Sequence, residues 1–142
     1  MARREVMFKV ENPASRDFGK EFIITEMSAW DADELAQDLF RIMGEEGFTG
    51  IPADVISMGC AGLVTYGLPV LTSASPEVSR ALRDRLMKTV QVCITHENQT
   101  TNRLVNGPLD FEETDTIRRL LDKVFEVNFS FLAIGGESTS HS

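Results

Sequence analysis

In "SPEVSRALRDRLMKTVQVCIT", residues 75–95, the apolar period changes from that of a helix to that of a strand across two residues. Val78, Leu82, Leu86 and Met87 lie along one side of a helix. Ser75 can cap it and Pro76 can open it, because a proline in the first turn lacks only an amide hydrogen that no helix uses. Val90–Thr95 is then β-branched and alternating, the clearest strand in the chain. A strand this close to a helix needs partner strands, and the N-terminus supplies them.

"EVMFKV" (Glu5–Val10) and "KEFIITEM" read as two strands joined by the polar loop "ENPASRDFG", a β-hairpin. An isolated hairpin is marginal in water, so the hairpin is expected to join Val90–Thr95 in one sheet. The consecutive apolar residues Phe22, Ile23 and Ile24 point to cover on both faces of the second strand. After Val90–Thr95 the run "HENQTTN" reads as a polar connection, "RLV" as a short partner strand and Asn106-Gly107-Pro108 as a turn.

Three further segments are helical. In "SAWDADELAQDLFRIMGEEG", Ser28 can cap the first turn, the acids beside it suit the helix dipole, and Gly44 or Gly47 stops the run. Trp30, Leu35, Leu39, Ile42 and Met43 make its apolar stripe. "GIPADVISMGCAGLVTYGLP" starts at Pro52 and carries Gly59, Ala61 and Gly62, although each interior glycine costs about 1 kcal/mol relative to alanine. Another backbone packed against that small-residue face would offset the penalty. The last helix enters through Asp110–Glu113, with capping-box spacing, and its stripe runs Ile117, Leu120, Leu121, Val124, Phe125. Val127, Phe129 and Ile134 fall off the stripe, so its end is apolar on more than one side.

The expected fold is therefore α+β and mainly helical: an N-terminal β-hairpin, three to four helices, and a further short strand or hairpin before a C-terminal helix. Residues 1–136 form a single compact domain, and past Gly135-Gly136 the polar residues 137–142 form a mobile tail. A chain of 142 residues can bury one sizeable core without disulfide or metal.

The formal net charge of −8 argues against nucleic acid or an anionic membrane as partner, and no apolar run approaches the roughly 20 residues of a membrane span. Cys60 and Cys93 beside apolar neighbours, with no signal peptide, point to a reducing cytoplasm. Chemistry is sparse. His96 and His141 are the only histidines, Cys93 and His96 have a spacing that chance often supplies, and no phosphate-binding or dinucleotide fingerprint occurs. Asp31, Asp33, Glu34 and Asp38 read as a solvated helix face. Arg80, Arg83, Arg85, Arg118 and Arg119 suit solvated faces too, or the grip of an acidic partner. No enzyme activity, cofactor or metal is expected.

The segments "KEFIITEMSAWDADELAQDLF", "GIPADVISMGCAGLVTYGL", "LRDRLMKTVQVCI" and "LDFEETDTIRRLLDKVFEVNFSFL", in this order over about residues 20–134, resemble the tail assembly chaperones of long-tailed bacteriophages. Members of that group show a "K-x-Y/F-x-I-T-E-M" strand, an "IP-x-D/E-I-x-x-M-G-x-A-x-L" helix and an acidic entry to a final aromatic helix. The N-terminal "REVMFKVENPASRDFG" is not part of the pattern. The resemblance implies a non-enzymatic protein of the host cytoplasm, absent from the mature virion. It would coat the aggregation-prone tape measure protein and recruit major tail protein around it, and a frameshift near the gene's end often adds a longer form in that family. Candidate client surfaces are the small-residue helix at Met58, Gly59 and Gly62 and the terminal helix at Phe125, Phe129, Phe131 and Leu132, with packing inside the domain or in a homo-oligomer as the competing use. A structural tail component (tail-completion or tube-type protein) and a small host-directed binding protein are the alternatives.

Overall fold

A computed structural model describes residues 3–45, 69, 71–72 and 74–140, apart from the side chains of 43–45 and 130–140. Its elements are β1 (Glu5–Lys9), β2 (Glu21–Thr25), α1 (Ala29–Glu45), α2 (Pro76–Met87), β3 (Val90–His96), β4 (Gln99–Leu104), α3 (Gly107–Asp110) and α4 (Thr114–Ser140). The fold is α+β, with an N-terminal hairpin, a second hairpin and a C-terminal helix. The small-residue helix read from residue 52 lies outside the described residues.

The four strands form one antiparallel sheet in the order β1-β2-β3-β4, so the N-terminal hairpin does join Val90–His96. Alternation then sorts the side chains. Val6, Phe8, Phe22, Ile24, Val90 and Val92 turn to one face and belong to the core with Leu35, Leu39, Leu82, Leu86, Leu120, Val124 and Phe125. On the other face the register lines up Met7, Ile23, Gln91 and Leu104 in one row. Ile23 is half-buried, while Met7 and Leu104 are exposed. Cover on both faces of β2 is therefore not seen among the described residues; the run Phe22-Ile23-Ile24 places its middle residue on the open face.

Caps set two helices as their sequences predict. The Ser28 hydroxyl accepts from the Asp31 amide at 3.1 Å and Ser75 accepts from Val78, with Pro76 in the first turn of α2. Trp30 is a correction. It precedes Leu35 by five residues, roughly 140° around the helix, and is 82% exposed instead of sharing the apolar stripe.

The second hairpin is tighter and longer than expected. β3 and β4 run on through most of "HENQTTN" and turn at Glu97 and Asn98, both with positive φ (52° and 64°). This is the backbone of a two-residue turn that matches strand twist, and it favours asparagine or glycine. Asn106-Gly107-Pro108 opens the short helix α3.

α4 is the broad-faced element. Leu120, Leu121, Val124, Phe125, Val127, Asn128 and Phe129 are all buried, an arc of roughly 200°. The helix packs on α2 and on β1 and β2, which accounts for apolar residues off the primary stripe. Its backbone continues through Gly135 and Gly136 to Ser140, past the point where the double glycine was expected to end it.

Candidate partner-binding groove

Between α2, the end of β4, α3 and the start of α4 runs a largely apolar groove of about 550 Å³. One wall is the face of α2 that carries Arg83, Asp84, Met87 and its cap Lys88, where spacings of four stack Arg83 on Met87 and Asp84 on Lys88. Leu104, Val105 and Pro108 form the other wall, with Phe111 and Ile117 as the floor. Met87, Val105, Phe111 and Ile117 are half-buried and pack against the core, so their outer surfaces line the groove.

Two buried carboxylates hold the walls in place. Asp110 accepts two hydrogen bonds from Arg103, at 2.7 and 2.9 Å, and one from the Asn106 amide at 2.6 Å, which closes the turn from β4 into α3. The Arg103 guanidinium lowers the Asp110 pKa, burial opposes it, and the Asn106 amide adds to the lowering. Asp17, in the β1–β2 loop, is fully buried. It accepts from the Glu112 and Glu113 amides, both at 2.9 Å, from the Thr116 hydroxyl at 2.6 Å and from Lys20 at 2.9 Å. Burial pushes its pKa up, but the hydrogen bonds from Thr116, Lys20 and the two amides outweigh it and bring it down to about 2.

The loop grips the same junction twice more. Lys20 donates to the Asp110 carbonyl, and Arg16 bonds Glu113 and the Glu112 carbonyl. Phe111, fixed between these anchors, stacks on Phe22 of β2 with ring centroids 5.5 Å apart. Asp110 was read as the capping acid of the last helix; the structure gives it to Arg103, and Asp17 holds the helix entry from across the chain.

The groove rim is basic. Arg83 and Lys88 have no ion-pair partner among the described residues, and Asp84 is the one acid among the residues lining the groove. Arg80 and Arg118 are exposed as well. By contrast Arg85 bonds Asp38 at 2.6 Å and joins α2 to α1, while Arg119 pairs with Asp115. An apolar trough with basic residues along its α2 wall suits an amphipathic helix that carries carboxylates on one side of its apolar stripe.

Of the residues singled out from sequence, Phe125 and Phe129 are corrected as free surface. They are 0% and 1% exposed, and they pack on each other with centroids 6.3 Å apart. Met58, Gly59 and Gly62 lie outside the described residues, as do the side chains of Phe131 and Leu132. Cys93 and His96 do not converge: three residues apart on a strand, they point to opposite faces. Burial, with the neighbouring Glu21, raises the Cys93 pKa, which disfavours a thiolate. Among the described residues no three His, Cys, Asp or Glu side chains gather as a metal site, and no helix is long and apolar enough to cross a membrane. The groove itself escaped sequence reading because its walls come from segments separated by intervening strands; Met87 at the end of the α2 stripe and Arg83 among the basic residues were its visible traces.

Fold and groove together define a two-layer α+β domain with an open sheet face and an apolar trough on its helical side. No protein-family model, curated protein or solved structure matches the chain.

Proposed function

We propose that this chain is a tail assembly chaperone of a long-tailed bacteriophage. It holds the tape measure protein in soluble form, helps recruit major tail protein, carries out no catalysis, works in the host cytoplasm and leaves before the virion matures. The observation that carries the reading is the ordered resemblance over about residues 20–134, from "KEFIITEM" to the aromatic last helix. The groove supports it by offering a place for a client helix: an apolar floor at Phe111 and Ile117 beside the Arg83 and Lys88 of α2. The net charge of −8 keeps such a complex soluble.

Co-expression with the tape measure protein tests this. Wild type is expected to keep the client in the soluble fraction, and Arg83→Glu with Lys88→Glu, both surface changes, to lose it while the circular dichroism stays unchanged. A client that aggregates equally with and without wild type overturns the chaperone reading; a double variant that still protects the client removes the groove from it. The exposed outer part of the β3–β4 hairpin favours the second reading, a structural tail component, since such hairpins suit assembly into rings. Mass spectrometry of purified particles separates the two, because a chaperone is missing there and a tail component is present in stoichiometric amount.

A further inference from the structure

Among the described residues β4 ends the sheet, and all six of its residues are exposed; only its last two, Arg103 and Leu104, approach helices, at Asp110 and at the groove. The two-residue turn at Glu97-Asn98 makes His96 and Gln99 the first hydrogen-bonded pair of the hairpin. By the alternation of an antiparallel ladder, Thr101 and Arg103 also bond inward to β3, and the amide and carbonyl groups of Thr100, Asn102 and Leu104 point away from the sheet. Folded proteins usually protect such an edge with lysine, proline or a bulge. β1, the opposite edge, carries Glu5 and Lys9. β4 has no proline and keeps an unbroken register from Gln99 to Leu104, and its one charged side chain, Arg103, is folded back onto Asp110.

We propose that β4 pairs with β4 of a second copy of this chain, antiparallel about a twofold axis at Asn102, to make a continuous eight-stranded sheet. This register uses every outward residue: Asn102 meets its own copy, and Thr100 meets Leu104 of the other chain. The Leu104 carbonyl already accepts from Arg103, which leaves its second lone pair for the partner. Thr101 then faces Arg103, so no like charges oppose each other anywhere along the strand. A second copy fits as the occupant because the outward register is self-complementary about Asn102 and sets no charge against its like, so the pairing avoids the repulsion that two chains of net charge −8 meet across acidic surface.

Sedimentation equilibrium of the full chain, at low and moderate salt, tests the pairing. Wild type is expected to be a dimer that strengthens as salt screens the mutual repulsion. Asn102→Lys sets two ammonium groups against each other on the axis, and Asn102→Pro removes an outward donor while sparing the β3–β4 ladder. Each is expected to weaken self-association about tenfold or more with an unchanged far-ultraviolet spectrum. A wild-type chain that stays monomeric at both salt concentrations, or a dimer indifferent to both substitutions, overturns the proposal and leaves the edge to a partner's strand.

Discussion

Asp17 shows how much of this fold rests on one side chain. It lies 99 residues before Thr116 in the chain, and its two oxygens collect two amides, a hydroxyl and an ammonium. Asp17→Ala strands all four donors and is expected to cost about 3–5 kcal/mol, whereas Asp17→Asn keeps one acceptor and costs about 1–3 kcal/mol. Urea denaturation at pH 7 measures both. The Ser28 and Ser75 caps were legible because their partners lie three residues away. Asp17 was not, because in sequence it is one polar residue in a loop. The β3–β4 turn hid for a different reason: Glu-Asn carries none of the glycine signal that its positive φ values call for. Asn98→Gly removes the strain of a side chain at φ 64° and is expected to stabilise the protein by a few tenths of a kcal/mol to about 1 kcal/mol, while Asn98→Val is expected to destabilise it by more than about 1 kcal/mol. Thermal melts of the two variants should move in opposite directions.

At the scale of elements, α4 was legible as a helix, but two of the residues read as its client surface, Phe125 and Phe129, belong to the core. An apolar arc wider than one stripe means either a partner outside the domain or neighbours on several sides within it, and sequence alone does not separate these. Here α2, β1 and β2 cover it, and Phe129 shares the core with Phe125. Phe129→Ala is therefore expected to cost about 3–5 kcal/mol in urea denaturation, the effect of a cavity and not of a lost contact surface. Asn128 sits inside the same arc because it works as a polar link: its side chain accepts from the Met27 amide at 2.7 Å and donates to the Val124 carbonyl at 2.8 Å. It ties the exit of β2 to α4. Asn128→Leu leaves the Met27 amide without its acceptor and is expected to cost about 1–3 kcal/mol despite the better match to an apolar site. Strand pairing was the more legible part, since β3 announced itself by alternation and the hairpin needed a neighbour; which face stays open follows only from where the helices pack.

Across the whole molecule, three acids join segments that contact order alone would leave loosely connected. Asp17 holds the β1–β2 loop to the start of α4, Asp38 holds α1 to α2 through Arg85, and Asp110 holds β4 to α3 through Arg103. All three have folded-state pKa values below their ordinary range: Asp17 at about 2, Asp38 chiefly through the Arg85 hydrogen bond, and Asp110 chiefly through that of Arg103. A carboxyl group with a depressed folded pKa adds stability above its unfolded pKa, near 3.9, and loses it as the pH falls toward the folded value. For Asp17, the difference between an ordinary value of 3.8 and about 2 corresponds to roughly 2 kcal/mol. The urea midpoint is thus expected to change little from pH 8 to 5 and to fall steeply between about pH 4 and 2. In Asp17→Asn that fall should be shallower by Asp17's share, because the variant has already lost the charge at neutral pH, so its midpoint and that of wild type should converge toward pH 2. A gap between them that stays constant over the same range would mean that Asp17 stabilises the fold without its charge.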